Sequence, residues 1–127
     1  MEVKKPLRSI HRSDYAPFDW TVTETRLDVS ISSPNTLVCV TLNIQPNPAA
    51  EPSNELLLNG RGLTLKSIEV DGLLLGSDRY CLDSDQLRII GLTGQHQVKI
   101  TTTCTPYTNT ALEGLYLSGD MLCTQCE

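Results

Sequence analysis

Aromatic residues are scarce in this chain: one tryptophan, one phenylalanine and four tyrosines, 5% of 127 residues. A core built from such a sequence must consist mainly of Leu, Val and Ile. Long apolar runs are also missing. The strongest, Leu56-Leu57-Leu58 and Leu73-Leu74-Leu75, fall far short of the ~18 residues of a membrane span. No apolar h-region marks the N-terminus, so no signal peptide is expected. Positive charge is limited: ten Lys and Arg stand against fifteen Asp and Glu, a net charge of −5. A mildly acidic surface repels phosphate backbones, which argues against nucleic acid as a partner. The short basic start, Lys4, Lys5 and Arg8, reads as a solvated terminus.

Catalytic signatures are missing as well. There is no Gly-rich phosphate loop. No serine sits in a Gly-x-Ser-x-Gly elbow, and no strand–turn–helix unit is available to hold one. The two histidines, His11 and His96, are far apart. His11 lies in a polar segment beside Asp14, whose carboxylate it could bond, and His96 reads as a turn residue at a strand start. Helical stripes of apolar residues are absent.

What the chain does have is period-two alternation broken by turn residues, the signature of strands. Asp19–Ser33 is rich in β-branched residues. Trp20 and Val22 share one parity there, and Leu27, Val29 and Ile31 share the other. A parity switch inside one strand predicts a bulge. After a Pro34-Asn35 turn, Thr36, Val38, Val40, Leu42 and Ile44 alternate cleanly, and the two segments should form a hairpin. Pro46, Pro48 and Pro52 make Gln45–Asn54 a loop, since proline fixes its own φ and cannot donate to a ladder. Short strands are expected over 55–58, 63–70, 79–82, 86–92 and 96–105. Asp71-Gly72 should close a tight hairpin onto Leu73-Leu74. Asn109–Gly114 could hold a turn of helix or an irregular loop, Leu115–Gly119 is a short apolar piece ending in a turn, and Met121–Glu127 is extended or looped.

The expected fold is therefore a single all-β domain of about seven to nine strands, a sandwich or strongly curved pair of sheets. A chain this long can bury roughly two-thirds of its unfolded surface, enough for a core without staples.

Five cysteines, Cys39, Cys81, Cys104, Cys123 and Cys126, are odd in number and lack framework spacing. Without an export signal, reduced thiols in a cytoplasm are expected. Cys123-Thr124-Gln125-Cys126 is a CxxC. A thioredoxin-like use needs a helix whose N-terminus lowers a thiol pKa, and none is read nearby. A structural zinc site needs four ligands, and the other cysteines and histidines stand singly. Packing cysteines remain the simplest reading.

In an extended segment, residues two apart face the same side. Cys123, Gln125 and Glu127 would then share a face. An amide beside a carboxylate suits a cationic, hydrogen-bonding group such as an α-ammonium, although such a pair alone is more commonly a solvated strand end.

Two stretches change this balance. Asn109-Thr110-Ala111-Leu112-Glu113-Gly114-Leu115-Tyr116, then Ser118 through Cys123-Thr124-Gln125-Cys126-Glu127, resemble the end of the N-terminal domain of bacterial-type aminopeptidase N. Upstream, Asp14-Tyr15-Ala16-Pro17 is similar to that family's opening segment. Leu57-Leu58-Asn59-Gly60 and Leu63–Asp71 are similar to its mid-domain strands. The resemblance runs from about residue 11 onward.

It implies a saddle-shaped arrangement of antiparallel and mixed sheets, packed on a thermolysin-like catalytic domain that carries the zinc. The His-Glu-x-x-His and Gly-x-Met-Glu-Asn motifs of that domain are not in this sequence. By the resemblance, Glu127 would bind the free α-amino group of a peptide substrate, and Gln125 would line the first side-chain pocket. The expectation is one domain, residues 1–127, excised from a cytoplasmic zinc aminopeptidase. It would have no catalytic or metal-binding residue of its own, and its catalytic domain and the peptide would be its partners. Self-association through the face left uncovered is also expected. The competing reading is a free-standing β-sandwich binding or adaptor module without catalysis.

Overall fold

A computed structural model describes Ser9 and residues 11–125 of the chain. Ten strands run through it: β1 (Trp20–Ser30), β2 (Thr36–Pro46), β3 (Leu56–Asn59), β4 (Thr64–Val70), β5 (Leu73–Leu74), β6 (Tyr80–Leu82), β7 (Gln86–Ile89), β8 (His96–Cys104), β9 (Gly114–Ser118) and β10 (Met121–Gln125). The helical content among the described residues is three single 3₁₀ turns, at Arg12–Asp14, Ser77–Arg79 and Pro106–Thr108. The all-β expectation holds, with one strand more than the turn spacing suggested. Of the segment read as extended or looped, Met121–Glu127, the described part, Met121–Gln125, is the tenth strand. The possible helical turn falls just before Asn109, where Pro106 opens it with a φ already suited to a helix.

Local signals set the hairpins. β1 and β2 pair antiparallel from Trp20↔Pro46 to Ser30↔Leu37, and the register slips between Val22 and Glu24. That is the bulge that the parity switch predicts. β2 runs two residues beyond Ile44 into the proline-rich loop, because Pro46 ends the ladder opposite Trp20. Asn47 ties that loop to the start of β1: its Nδ2 donates to Phe18 O at 2.8 Å, and its Oδ1 accepts from Ala49 N at 3.0 Å. At the β4–β5 turn, Asp71 (φ +51°) and Gly72 (φ +82°) are both left-handed, the backbone of a type I′ hairpin.

A turn alone would strain Asp71, but its side chain is well held. Its Oδ1 accepts from Gln97 N at 2.9 Å, and its Oδ2 lies 2.6 Å from His96 Nδ1. The backbone donor from Gln97 and then the contact with His96 hold the Asp71 carboxyl below its ordinary value. His96 Nε2 is 2.7 Å from Thr93 O, so the ring bridges two loops. It is a structural clasp at a strand start rather than a bare turn residue. At the N-terminus, the His11 backbone N–H bonds Asp14 Oδ2 at 3.1 Å, where the sequence suggested the imidazole.

Five strands form the main sheet, in the order β1-β2-β8-β4-β5, and β3-β7-β6 form a second sheet. Every strand pairing among the described residues is antiparallel, which corrects the expectation of mixed sheets. A parallel neighbour needs a long crossover, usually helical, and the connections here are hairpins and loops.

The core lies between the two sheets. Ile44, Ile68, Val98 and Ile100 of the large sheet meet Leu56, Leu87, Ile89 and Leu92 around Trp20. Each such side chain contributes about 1.5–3 kcal/mol by leaving water. Trp20 Nε1 donates to Glu55 O at 2.7 Å, which satisfies the one polar atom of the buried indole and joins β1 to the start of β3. Aliphatic residues dominate the core, as the scarcity of aromatics requires.

The third sheet is the β9–β10 hairpin. It is not part of the core, and its main contact beyond itself is with the Pro106–Thr108 turn. No helix among the described residues is long and apolar enough to cross a membrane.

Candidate functional site

The hairpin that carries the CxxC segment grows from a short irregular loop after β8. Pro106 caps that loop from below and is buried. Asn109 then organises it: its Nδ2 donates to Glu113 O at 2.7 Å and to Leu115 O at 2.9 Å, and its Oδ1 accepts from Ala111 N at 3.1 Å. Three bonds from one side chain hold Leu112 at φ +58°, a left-handed conformation that costs a leucine roughly 1–2 kcal/mol. Gly114 follows at φ +71°, where glycine carries no such cost. The chain is thereby turned into β9.

β9 and β10 pair from Met121↔Ser118 to Gln125↔Gly114. The two-residue connection, Gly119-Asp120, has Gly119 at φ +60°, as a II′-type hairpin turn requires at its first position. This register sorts the side chains. Leu115, Leu117, Leu122 and Thr124 share one side, while Tyr116, Met121, Cys123 and Gln125 share the other. Cys123 and Gln125 therefore share a face, as the alternation predicts. Glu127 and Cys126 lie outside the described residues.

Gln125 is exposed, and its cross-strand neighbour is Gly114. A Cβ added at Gly114 would meet nothing within 4 Å. Among the described residues, no side chain of the partner strand therefore stands directly opposite the Gln125 amide. Cys123 is half-buried, and its thiol points back at Met121 O, 3.9 Å away.

Beneath the hairpin, where β4 begins and β8 ends, there is an open cavity of about 370 Å³ lined by Arg61, Leu63, Cys104, Thr108, Glu113 and Leu115. Burial pushes the Cys104 thiol up, so it faces this cavity as a neutral thiol and a weak nucleophile. Among the described residues, no three His, Cys, Asp or Glu side chains converge where a metal ion could sit.

The sequence singles out Gln125 and presents Asn109 and Gly114 only as part of the motif, without the role Asn109 has in ordering the loop before β9. The available signal was an Asn two residues before a backbone donor, the pattern of an Asx turn, followed by glycine at a strand start.

No protein-family model matches the chain. Individual proteins do. Aminopeptidase N of Caulobacter vibrioides is 32% identical over 120 residues, 94% of this chain, of which the chain spans 14%. Among solved structures, aminopeptidase A of Legionella pneumophila, in complex with aspartic acid, superimposes with a TM-score of 0.75. It is 30% identical and covers 84% of this chain, which spans 13% of it. An M1 zinc metallopeptidase of Deinococcus radiodurans, bound to a Tyr-Ser-Ala substrate, shares the fold at a TM-score of 0.60 and 14% identity. It covers 80% of this chain, which spans 25% of it. In sequence and in fold, the chain is a counterpart of the N-terminal β-domain of bacterial-type aminopeptidase N.

Proposed function

We propose that this chain, residues 1–127, works as the N-terminal domain of a zinc metallo-aminopeptidase and helps to hold the substrate's free N-terminus. The carrying observation is the β9–β10 hairpin. It stands off the core and presents Gln125, exposed and opposite a glycine. An arm attached this thinly is suited to lying on a second domain. The half-buried Leu115, Leu117 and Leu122, which share one side of the hairpin, supply apolar surface for that contact.

In this reading Glu127 accepts hydrogen bonds from the peptide's α-ammonium. Gln125 lines the pocket for the first side chain. A charge-assisted contact of this kind contributes about 1.5–3 kcal/mol. It selects peptides by their free amino end and fixes which bond is cut. In this reading the zinc belongs to the catalytic domain. When bound there, it would supply the Lewis acid and the activated water.

The test is a reconstitution. The catalytic portion of the parent enzyme, produced separately, is mixed with this chain and assayed on a chromogenic amino-acid amide. Release should require both parts. Glu127→Ala should lower kcat/KM roughly ten- to a hundredfold, the kinetic equivalent of the lost contact. Full activity with Glu127→Ala would show that the amine is anchored elsewhere. Failure of the two parts to bind would remove the domain assignment itself.

A further inference from the structure

The main sheet has two unlike edges. At one end β5 is two residues long, and at the other β1 runs for eleven, from Trp20 to Ser30. Among the described residues β1 pairs only with β2, and it is exposed from Thr23 to Ser30. A long edge of this kind offers unpaired N–H and C=O groups to another strand. We propose that the bulge-free part of β1, Glu24–Ser30, pairs antiparallel with the same segment of a second copy of this chain, joining two five-stranded sheets into one.

The register follows from the strand itself. The bulge between Val22 and Glu24 limits regular pairing at one end, and the strand stops at Ser30 at the other. The midpoint of that segment is Leu27, which places Leu27 opposite the partner's Leu27 on a two-fold axis. Two-fold pairing of one segment with itself is the isologous contact of most homodimers. Arg26 then faces the partner's Asp28, and Asp28 faces the partner's Arg26. Neither residue is in an ion pair among the described residues, so both are available.

Sliding one strand by two residues in either direction, the smallest shift that keeps every side chain on its face, sets Arg26 against Arg26, or Asp28 against Asp28. Directly opposed like charges destabilise a strand pair, while opposite charges stabilise it. Charged side chains on edge strands usually prevent pairing, but here their signs alternate about Leu27 so that one register is favoured and its neighbours are penalised. The other face of β1 agrees with this. Leu27 and Val29 are 60% and 46% exposed, on the side that β2 continues with Val38 and Val40. In the paired form Leu27 packs on its symmetry mate, and Val29 lies opposite the partner's Thr25.

Sedimentation equilibrium of the 127-residue chain over a concentration series tests this directly and does not depend on the aminopeptidase reading. The wild-type chain should show a monomer–dimer equilibrium. Asp28→Arg replaces two attractive pairs by two repulsive ones and should weaken the dimer at least about tenfold. The charge-swapped double variant Arg26→Asp/Asp28→Arg restores opposite charges in the same register and should bring dimerisation back. Asp28 is an exposed edge residue, and a circular dichroism spectrum matching wild type confirms that a monomeric variant is folded. The proposal fails if the wild-type chain stays monomeric throughout, if Asp28→Arg leaves the dimer unchanged, or if the double variant is no tighter than the single one.

Discussion

Thr36 opens β2 and is fully buried, yet its hydroxyl oxygen has no hydrogen-bond partner among the described residues. A buried hydroxyl without a partner costs about 1–3 kcal/mol of lost hydration. Thr36→Val keeps the β-branched shape and the strand preference and removes that polar atom. It should raise the unfolding free energy by about 1 kcal/mol, read as a shift of the urea midpoint at constant m-value. A lower midpoint would show that the hydroxyl is satisfied in solution. Thr36 also illustrates what the sequence conceals at this scale. Its alternation with Val38 and Val40 places it on the inner face, but nothing local shows whether its hydroxyl finds a partner there. Gln125 stands out in the sequence because it lies in a specific motif. Asn109, which orders the loop beneath it, does not, because asparagine in a polar loop is common and its three bonds depend on the loop already being folded.

Elements with local instructions were read correctly. The Asp71-Gly72 turn, the bulge in β1 and the β1–β2 hairpin each depend on residues close together in sequence. The strand order does not. The side-by-side placement of β2 and β8 brings Thr101 Oγ1 to Cys39 Sγ, 62 residues away in sequence, and a period-two pattern is indifferent to which neighbour a strand takes. The β9–β10 hairpin was hard to see for another reason: with part of its surface outside the core, its apolar alternation is weak. Its position depends on Asn109, and Asn109→Asp tests this. The carboxylate keeps an acceptor for Ala111 N–H and loses both donors to Glu113 O and Leu115 O, setting charge against two carbonyls. Hydrogen exchange at the β9–β10 amides should accelerate by about tenfold or more, the equivalent of one or two net hydrogen bonds. Exchange in β2 and β8 should stay as in wild type.

That contrast extends to the molecule as a whole. The two larger sheets share one core, so neither can open without exposing the other's inner face. They should unfold as a single cooperative unit, while the hairpin, outside that core, opens on its own. Ile89 is the complementary probe to Asn109. It is fully buried, it sits on the central strand of the small sheet, and it packs in the cluster that contains Ile68, Val98 and Ile100 of the large one. Ile89→Ala should therefore cost about 2–5 kcal/mol in global stability. The slowest-exchanging amides of β2, β8 and β7 should lose protection by the same factor, because a single transition exposes all three. If β7 alone loses protection, the small sheet is a separate cooperative unit and the shared core does not couple the two. If all three move together while the hairpin does not, the chain consists of a rigid two-sheet body bearing a locally mobile arm. That division suits the proposed function, in which the arm's end adapts to a peptide and to a second domain while its base stays fixed.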